Sequence, residues 1–287
     1  MAKRPVPRVV SRPVEPGSDL LVDFEIVESD LRFPDSKVVA ICGTGFGERA
    51  GGAKKFANIV AGILHCTAYG VVPPYAEITK KATNPRRALR DMTDHSFLEV
   101  SRALADGHTV VYMGNSLAGP PAYRAAAHSG SMVGTVSSAG FHNRLLGKTE
   151  PQRAKNLVHE LLVTTTAQHI KVGDWAVRHV FAGGFEDGKT MKLRSLVGAG
   201  FVVSDELEDM TVEAAVEVGG KDVLSSPDKD ACFWRDGYTQ VRSAAAAGTV
   251  ILLVSGPHAC IQGKFFEPQL VPVAEHIAAQ LGISANR

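Results

Sequence analysis

The run His108-Thr109-Val110-Val111-Tyr112-Met113-Gly114-Asn115-Ser116-Leu117-Ala118-Gly119, with Ala122-Tyr123-Arg124-Ala125-Ala126-Ala127 close behind it, decides the fold of this chain. Its first half has the β-branched and aromatic character of a strand, and the alanine-rich end reads as a helix. Between them Gly114-x-Ser116-x-Ala118 satisfies the G-x-S-x-[G/A] pattern, so the spacing predicts strand, tight turn and helix with a serine at the apex. The chemistry asks for that shape. A serine attacks well only when its Oγ is held exposed on a sharp turn, and the residues two before and two after it must then be small. Gly114 and Ala118 meet that need.

Outward from this segment the chain alternates between strand and helix. Leu20 to Val27 has strand character, and Val38 to Ile41 is a short apolar run opening into the loop Cys42-Gly43-Thr44-Gly45. Ala53 to Leu64 carries Phe56, Ile59, Val60, Ile63 and Leu64 at helical spacing, and the strand-like Tyr69 to Val72 ends at Pro73-Pro74. Phe97 to Ala105 is a further helix, and Met132 to Val136 a further strand. The alternation resumes with a strand at Val212 to Val218, a polar loop, a strand at Thr249 to Val254 and a final helix from Gln269 to Leu281. Such a pattern implies an α/β protein with a mostly parallel sheet flanked by helices. Residues 1–19 read as a Pro-rich tail, residues 20–140 and 212–287 as the core, and residues 141–211, where the pattern breaks, as a helical cap insertion.

Composition excludes several classes of function. The 287 residues carry 31 basic and 30 acidic side chains, a net charge of +1, which provides no field for nucleic acid or an anionic membrane. The longest apolar stretch, Ala244 to Val254, is interrupted by Gly248 and is too short to span a bilayer. The first residues lack an apolar signal core, so a cytoplasmic protein is expected. Cys42, Cys66, Cys232 and Cys260 show no CxxC spacing and read as buried, reduced thiols. The ten histidines lack HExxH spacing, and no metal or cofactor is expected.

Two other glycine motifs compete with the serine turn. Gly43-x-Gly45-x-Gly47 follows a strand, as a dinucleotide fingerprint does, but places Glu48 where the third glycine belongs and has no acidic residue about 20 positions on. Gly183-Gly-Phe-Glu-Asp-Gly188-Lys189-Thr190 satisfies the phosphate-loop pattern, yet Glu186 and Asp187 would face the polyphosphate its amides should surround. Electrostatics disfavour both.

A nucleophilic serine needs a base and an orienting acid, which in this architecture follow it in the order Ser, Asp or Glu, His at later strand ends. Val216-Glu217-Val218-Gly219-Gly220-Lys221-Asp222 places an acid after a strand, and Val250-Ile251-Leu252-Leu253-Val254-Ser255-Gly256-Pro257-His258 places a histidine after the next. With these blocks the chain resembles the α/β-hydrolase superfamily over most of residues 38–281. The resemblance implies Ser116 as nucleophile, His258 as general base, and Asp222 as the residue that fixes the imidazole, with Asp228 and Asp230 as fallback acids deeper in the loop. It further implies an oxyanion hole made of the Leu117 N–H and, from the loop after Ile41, the Thr44 N–H with Gly45 beside it. The implied activity is hydrolysis of a small or medium carboxylic ester, thioester, amide or C–C bond through an acyl-serine, the partner being a small-molecule substrate. Its alternatives are a non-catalytic ligand-binding protein on the same fold and an ATP-binding protein using residues 183–190.

Overall fold

The computed structural model describes residues 8–45, 48–84, 87–88, 91–92, 97–137, 222–227, 248–256 and 259–283. Eight strands, β1 (Arg8–Pro13), β2 (Leu21–Glu28), β3 (Val38–Gly43), β4 (Thr67–Val72), β5 (Thr109–Asn115), β6 (Met132–Val136), β7 (Asp222–Pro227) and β8 (Val250–Val254), form one sheet in the order β1-β2-β4-β3-β5-β6-β7-β8. β2 runs antiparallel to both of its neighbours, and every pair from β4 to β8 is parallel. The carboxyl ends of β3, β5, β6, β7 and β8 therefore share one edge, the place where open α/β sheets carry their ligands.

A parallel sheet must be covered on both faces, and the side-chain alternation shows how. In β3, Val39 and Ile41 point to one core, while Ala40 and Cys42 point to the other; in β5, Tyr112 opposes Val111 and Met113. The first core is covered by α2 (Tyr75–Lys81), α3 (Phe97–Leu104) and α4 (Gly119–Ser129), through Tyr75, Ile78, Phe97, Val100, Ala122 and Tyr123. The second is covered by α1 (Ala50–Leu64) and α5 (Phe266–Gln280), which meet edge-to-face at Phe56 and Phe266 with ring centroids 5.1 Å apart. Helix α1 ends at His65, whose left-handed φ of 45° closes the helix and whose ring stacks on Phe33. Among the described residues no helix is long and apolar enough to cross a membrane.

Two expectations change. Residues 8–13, read as tail, form edge strand β1, where Pro13 is tolerated because an edge position needs no amide on its outer side. Residues 222–227, read as the start of a polar loop, are strand β7, held between β6 and β8 by backbone pairing that their Asp-Val-Leu-Ser-Ser-Pro composition does not announce. The strand expected at 212–218 and the cap expected at 141–211 lie outside the described residues.

The closeness of α1 to the sheet rests on Gly70 in β4, where a Cβ would overlap the Ala53 carbonyl of α1. Gly70→Ala is expected to lower the free energy of unfolding by about 2 kcal/mol, because backbone rather than a flexible side chain would have to yield. Gly51→Ala, with open space around it in the same helix, should leave stability unchanged or slightly raised. Urea midpoints of the two variants test the contrast.

Candidate active site

Strand β5 ends at Asn115, a single 3-10 turn covers Ser116–Ala118, and α4 leaves from Gly119. Ser116 sits at the apex with φ 54°, a left-handed backbone that costs a non-glycine residue roughly 1–2 kcal/mol. Pro120 and Pro121 occupy the first turn of α4, where the missing N–H groups would have had no helical acceptor. The turn is tight enough to exclude side chains around it. A Cβ at Gly114 would stand 2.7 Å from the Ala118 carbonyl oxygen, and one at Gly43 would stand 3.0 Å from the Ala118 Cβ. Both small residues required by the sequence pattern thus have a steric reason.

The loop after β3 comes down onto the serine. A Cβ on Gly45 would lie 2.7 Å from the Ser116 Cβ and 3.3 Å from its Oγ, so the Ser116 side chain faces the backbone of that loop. Gly43 and Gly45, two of the glycines that mimicked a dinucleotide fingerprint, serve this close approach. Leu117, buried directly after the serine, presents its amide in the first turn of the helical segment, where amides lack intrahelical acceptors. Thr44 does not act as expected: its N–H donates to the Val71 carbonyl at 2.9 Å and its Oγ1 donates to the same oxygen at 3.2 Å. That amide ties β3 to β4 and is not aimed at the serine.

Asp222 also departs from its expected place. It is the first residue of β7, paired with Val133, which pairs in turn with Tyr112. Tyr112 precedes Ser116 by four residues, so Asp222 stands about 13 Å back along the strand direction, toward the amino ends of the parallel strands. There its buried carboxylate accepts a hydrogen bond from Thr249 Oγ1 and faces Tyr123. Burial pushes the Asp222 carboxyl above the usual carboxylate range, against the lowering effect of Thr249. Burial, with the Asp222 charge beside it, pushes the Tyr123 phenol well up. This cluster belongs to the folded core and does not touch the serine turn. His258, Asp228 and Asp230 lie outside the described residues.

The neighbouring segment, however, is well defined. Ala259 lies beside the serine turn: Asn115 Nδ2 donates to its carbonyl at 3.2 Å and to the Val136 carbonyl at 3.2 Å. Ser137 Oγ, at the end of β6, accepts from the Ala259 N–H at 3.0 Å and donates to Gln269 Oε1 of α5 at 3.0 Å. Two residues on, Glu48 Oε1 accepts from the Ile261 N–H at 3.1 Å, and Lys55 Nζ donates to the Ile261 carbonyl at 2.9 Å. Desolvation pushes the Glu48 carboxyl up to about 7, against the lowering effects of the Ile261 amide and Lys55. Ser137, Gln269 and Lys55 did not stand out in the sequence, and Glu48 stood out only as the residue that breaks the dinucleotide fingerprint. Asn115 carried a signal as the variable residue before the serine in the motif.

Cys42 and Cys66 offer no rival nucleophile. Cys42 and Cys66 are buried, and desolvation pushes the Cys66 thiol up to about 12 and the Cys42 thiol well above its ordinary value. Cys260 is half-buried, and Cys232 lies outside the described residues.

No protein-family model matches the chain, and no curated protein matches its sequence. Solved structures do match its fold. A lipase in its open form aligns over 98% of this chain and 100% of its own, with a TM-score of 0.60 at 14% identity. The chain has the α/β-hydrolase fold. A peroxisomal α/β-hydrolase from Saccharomyces cerevisiae aligns with a TM-score of 0.60 at 10% identity, over 97% of this chain and 89% of its own. A monoacylglycerol lipase from Paleococcus ferrophilus aligns with a TM-score of 0.56 at 15% identity, over 90% of this chain and 99% of its own. In this α/β-hydrolase fold the serine turn stands at the carboxyl edge of the sheet and Asp222 at the opposite end.

Two substitutions separate these roles. Asp222→Ala leaves Thr249 without its buried acceptor and is expected to cost about 2 kcal/mol of stability, while fluorophosphonate labelling at Ser116 is expected to be the same in the folded variant as in wild type. Slowed labelling of Ser116 by a fluorophosphonate in folded Asp222→Ala would return Asp222 to the site. Glu48 gives a pH signature. Its folded value lies above the ordinary 4.5, so its contribution is fully present below that pH and is lost as pH rises through about 7. Glu48→Gln keeps an acceptor for Ile261 and should remove that slope, about 2 kcal/mol after allowance for the partial exposure of the residue. Denaturant titrations at pH 5 and pH 8 measure it.

Proposed function

We propose that this protein is a serine hydrolase that cleaves a small or medium carboxylic ester through an acyl-serine intermediate. The observation that carries the reading is Ser116 itself: a non-glycine residue in a left-handed turn at the tip of a central parallel strand, its side chain facing the glycine loop after β3. Strain of this kind, held in place by small neighbours, fits a residue that must be presented for reaction. The lipases and the carboxyl esterase from Bacillus coagulans among the structural neighbours support an ester as the bond attacked.

In the proposed reaction Ser116 Oγ attacks the ester carbonyl carbon while His258 takes the hydroxyl proton. The Leu117 amide and an amide of the loop beginning at Gly45 receive the developing oxyanion, in place of Thr44. Each such donor is worth about 3 kcal/mol. The C–O bond to the leaving alcohol breaks as the imidazolium returns the proton to it. Water, deprotonated by His258, then adds to the acyl carbon, and Ser116 leaves with its proton restored. The orienting acid comes from the segment after β7. Pro227 is the last residue of that strand and Asp228 follows it in the chain, with Asp230 two further on.

Intact mass after incubation with a fluorophosphonate is the test, since the reagent reports an activated serine without knowledge of the substrate. A single adduct is expected on wild type and none on Ser116→Ala. His258→Ala should slow labelling at least about 100-fold. Asp228→Asn should slow it with the protein still folded. Folded wild type without an adduct would overturn the reading.

A further inference from the structure

Every backbone polar group of Ala259 and Ile261 is held by a side chain from elsewhere in the fold. Asn115 and Ser137 take the carbonyl and amide of Ala259, and Lys55 and Glu48 take those of Ile261. Loop backbone normally turns such groups to water or to its own turns. Here four side chains, from the ends of β5 and β6, from the segment before α1 and from α1 itself, grip one short stretch. The two residues joined by the Asn115 bond have a special relation: Asn115 directly precedes Ser116, and Ala259 directly follows His258.

We propose that Asn115 is a positioning residue, which sets the base against the nucleophile by tying the residue after His258 to the residue before Ser116. The inference rests on the serine-hydrolase reading. The chemistry of the side chain suits the task. Its amide nitrogen has two hydrogens, and both are spent on carbonyls: one on Val136, which anchors Asn115 to the neighbouring strand, and one on Ala259. The side chain is buried, so water cannot replace either bond cheaply. It is a rigid brace with one end on the sheet and the other on the histidine segment. Displacement of about 1 Å in a reacting group costs on the order of 100-fold in rate, so a brace one residue from each partner acts with little lever arm. Asn115 touches neither substrate nor the transferred proton in this role. Ser137 supports it from the other side of Ala259 by accepting the amide hydrogen.

The test is a double-substitution cycle on fluorophosphonate labelling, with the inactivation rate at saturating reagent and the half-saturating concentration read separately. In folded Asn115→Ala the saturating rate should fall about 10- to 100-fold with the half-saturating concentration unchanged. In a His258→Ala background, the same substitution should have no further effect on the residual rate, because its action runs through the histidine. Equal losses in both backgrounds would overturn the proposal and make Asn115 a support of the serine turn alone; a wild-type rate in Asn115→Ala would overturn it outright. If Asn115→Ala fails to fold, Ser137→Ala decides, with a smaller loss of the same kind expected and additivity with His258→Ala counting against. Absence of labelling in wild type would instead strike the hydrolase reading.

Discussion

The left-handed backbone at Ser116 is the constraint around which the rest of the sheet edge is arranged. A strand that must turn into a helix within three residues, with a β-carbon on the wrong side of the Ramachandran map, needs its surroundings emptied of side chains. The sequence does so in three places at once: Gly114 beneath the turn, Gly43 across from Ala118, and Gly45 against the serine itself. Pairing of Gly43 with Gly114 in the parallel ladder brings two of these glycines into register. The register of β3 against β5, set by alternating burial of Val39, Ala40, Ile41 and Cys42 on opposite faces, therefore also sets the distance between the glycine loop and the serine.

Parallel strands that stop together leave a row of loops whose backbone groups have no ladder to join. Asn115 and Ser137, the polar residues at the ends of adjacent strands β5 and β6, serve as the ladder's continuation toward Ala259. Gln269 then carries the connection into α5, which also packs on α1 through Phe266. The segment following β8 is thus tied to strand ends, to both helices of one face and, through Glu48, to the loop that overhangs the serine. Glu48 reports on this junction through its raised ionisation range, because the site that sets it on the Ile261 amide also desolvates it and disfavours its charged form.

The fold was legible wherever burial wrote a period into the sequence. β3, β5, α1 and α5 alternate or recur as buried elements must, and the short G-x-S-x-[G/A] pattern between β5 and α4 carried the turn because only small residues fit there. β7 was not legible. Its Ser225, Ser226 and Pro227 are poor strand formers, and its strand state comes from pairing on both sides rather than from local preference. Reading it as a loop placed Asp222 at the wrong end of a strand, since an acid that opens β7 resembles, in one dimension, an acid that closes the strand before it. Thr44 failed for a related reason. Composition marks a glycine loop, but which of its amides is already spent depends on Val71, a residue 27 positions away.

Asp222 and Asn115 stand at opposite ends of the same sheet in different polar surroundings. At the amino ends of the strands, Asp222 accepts from Thr249 and lies beside Tyr123 in a buried cluster whose acid prefers its proton more than an exposed one does. A group so desolvated would orient an imidazolium poorly, because the charge it must hold is the form that burial disfavours. Asn115, Ser137 and Gln269, buried polar residues at the carboxyl ends, fix geometry without bringing charge of their own. For a serine to lose its proton and an oxyanion to form there, the charge that develops must find donors already in place, and Asn115, Ser137 and Gln269 bring no carboxylate of their own to compete for them.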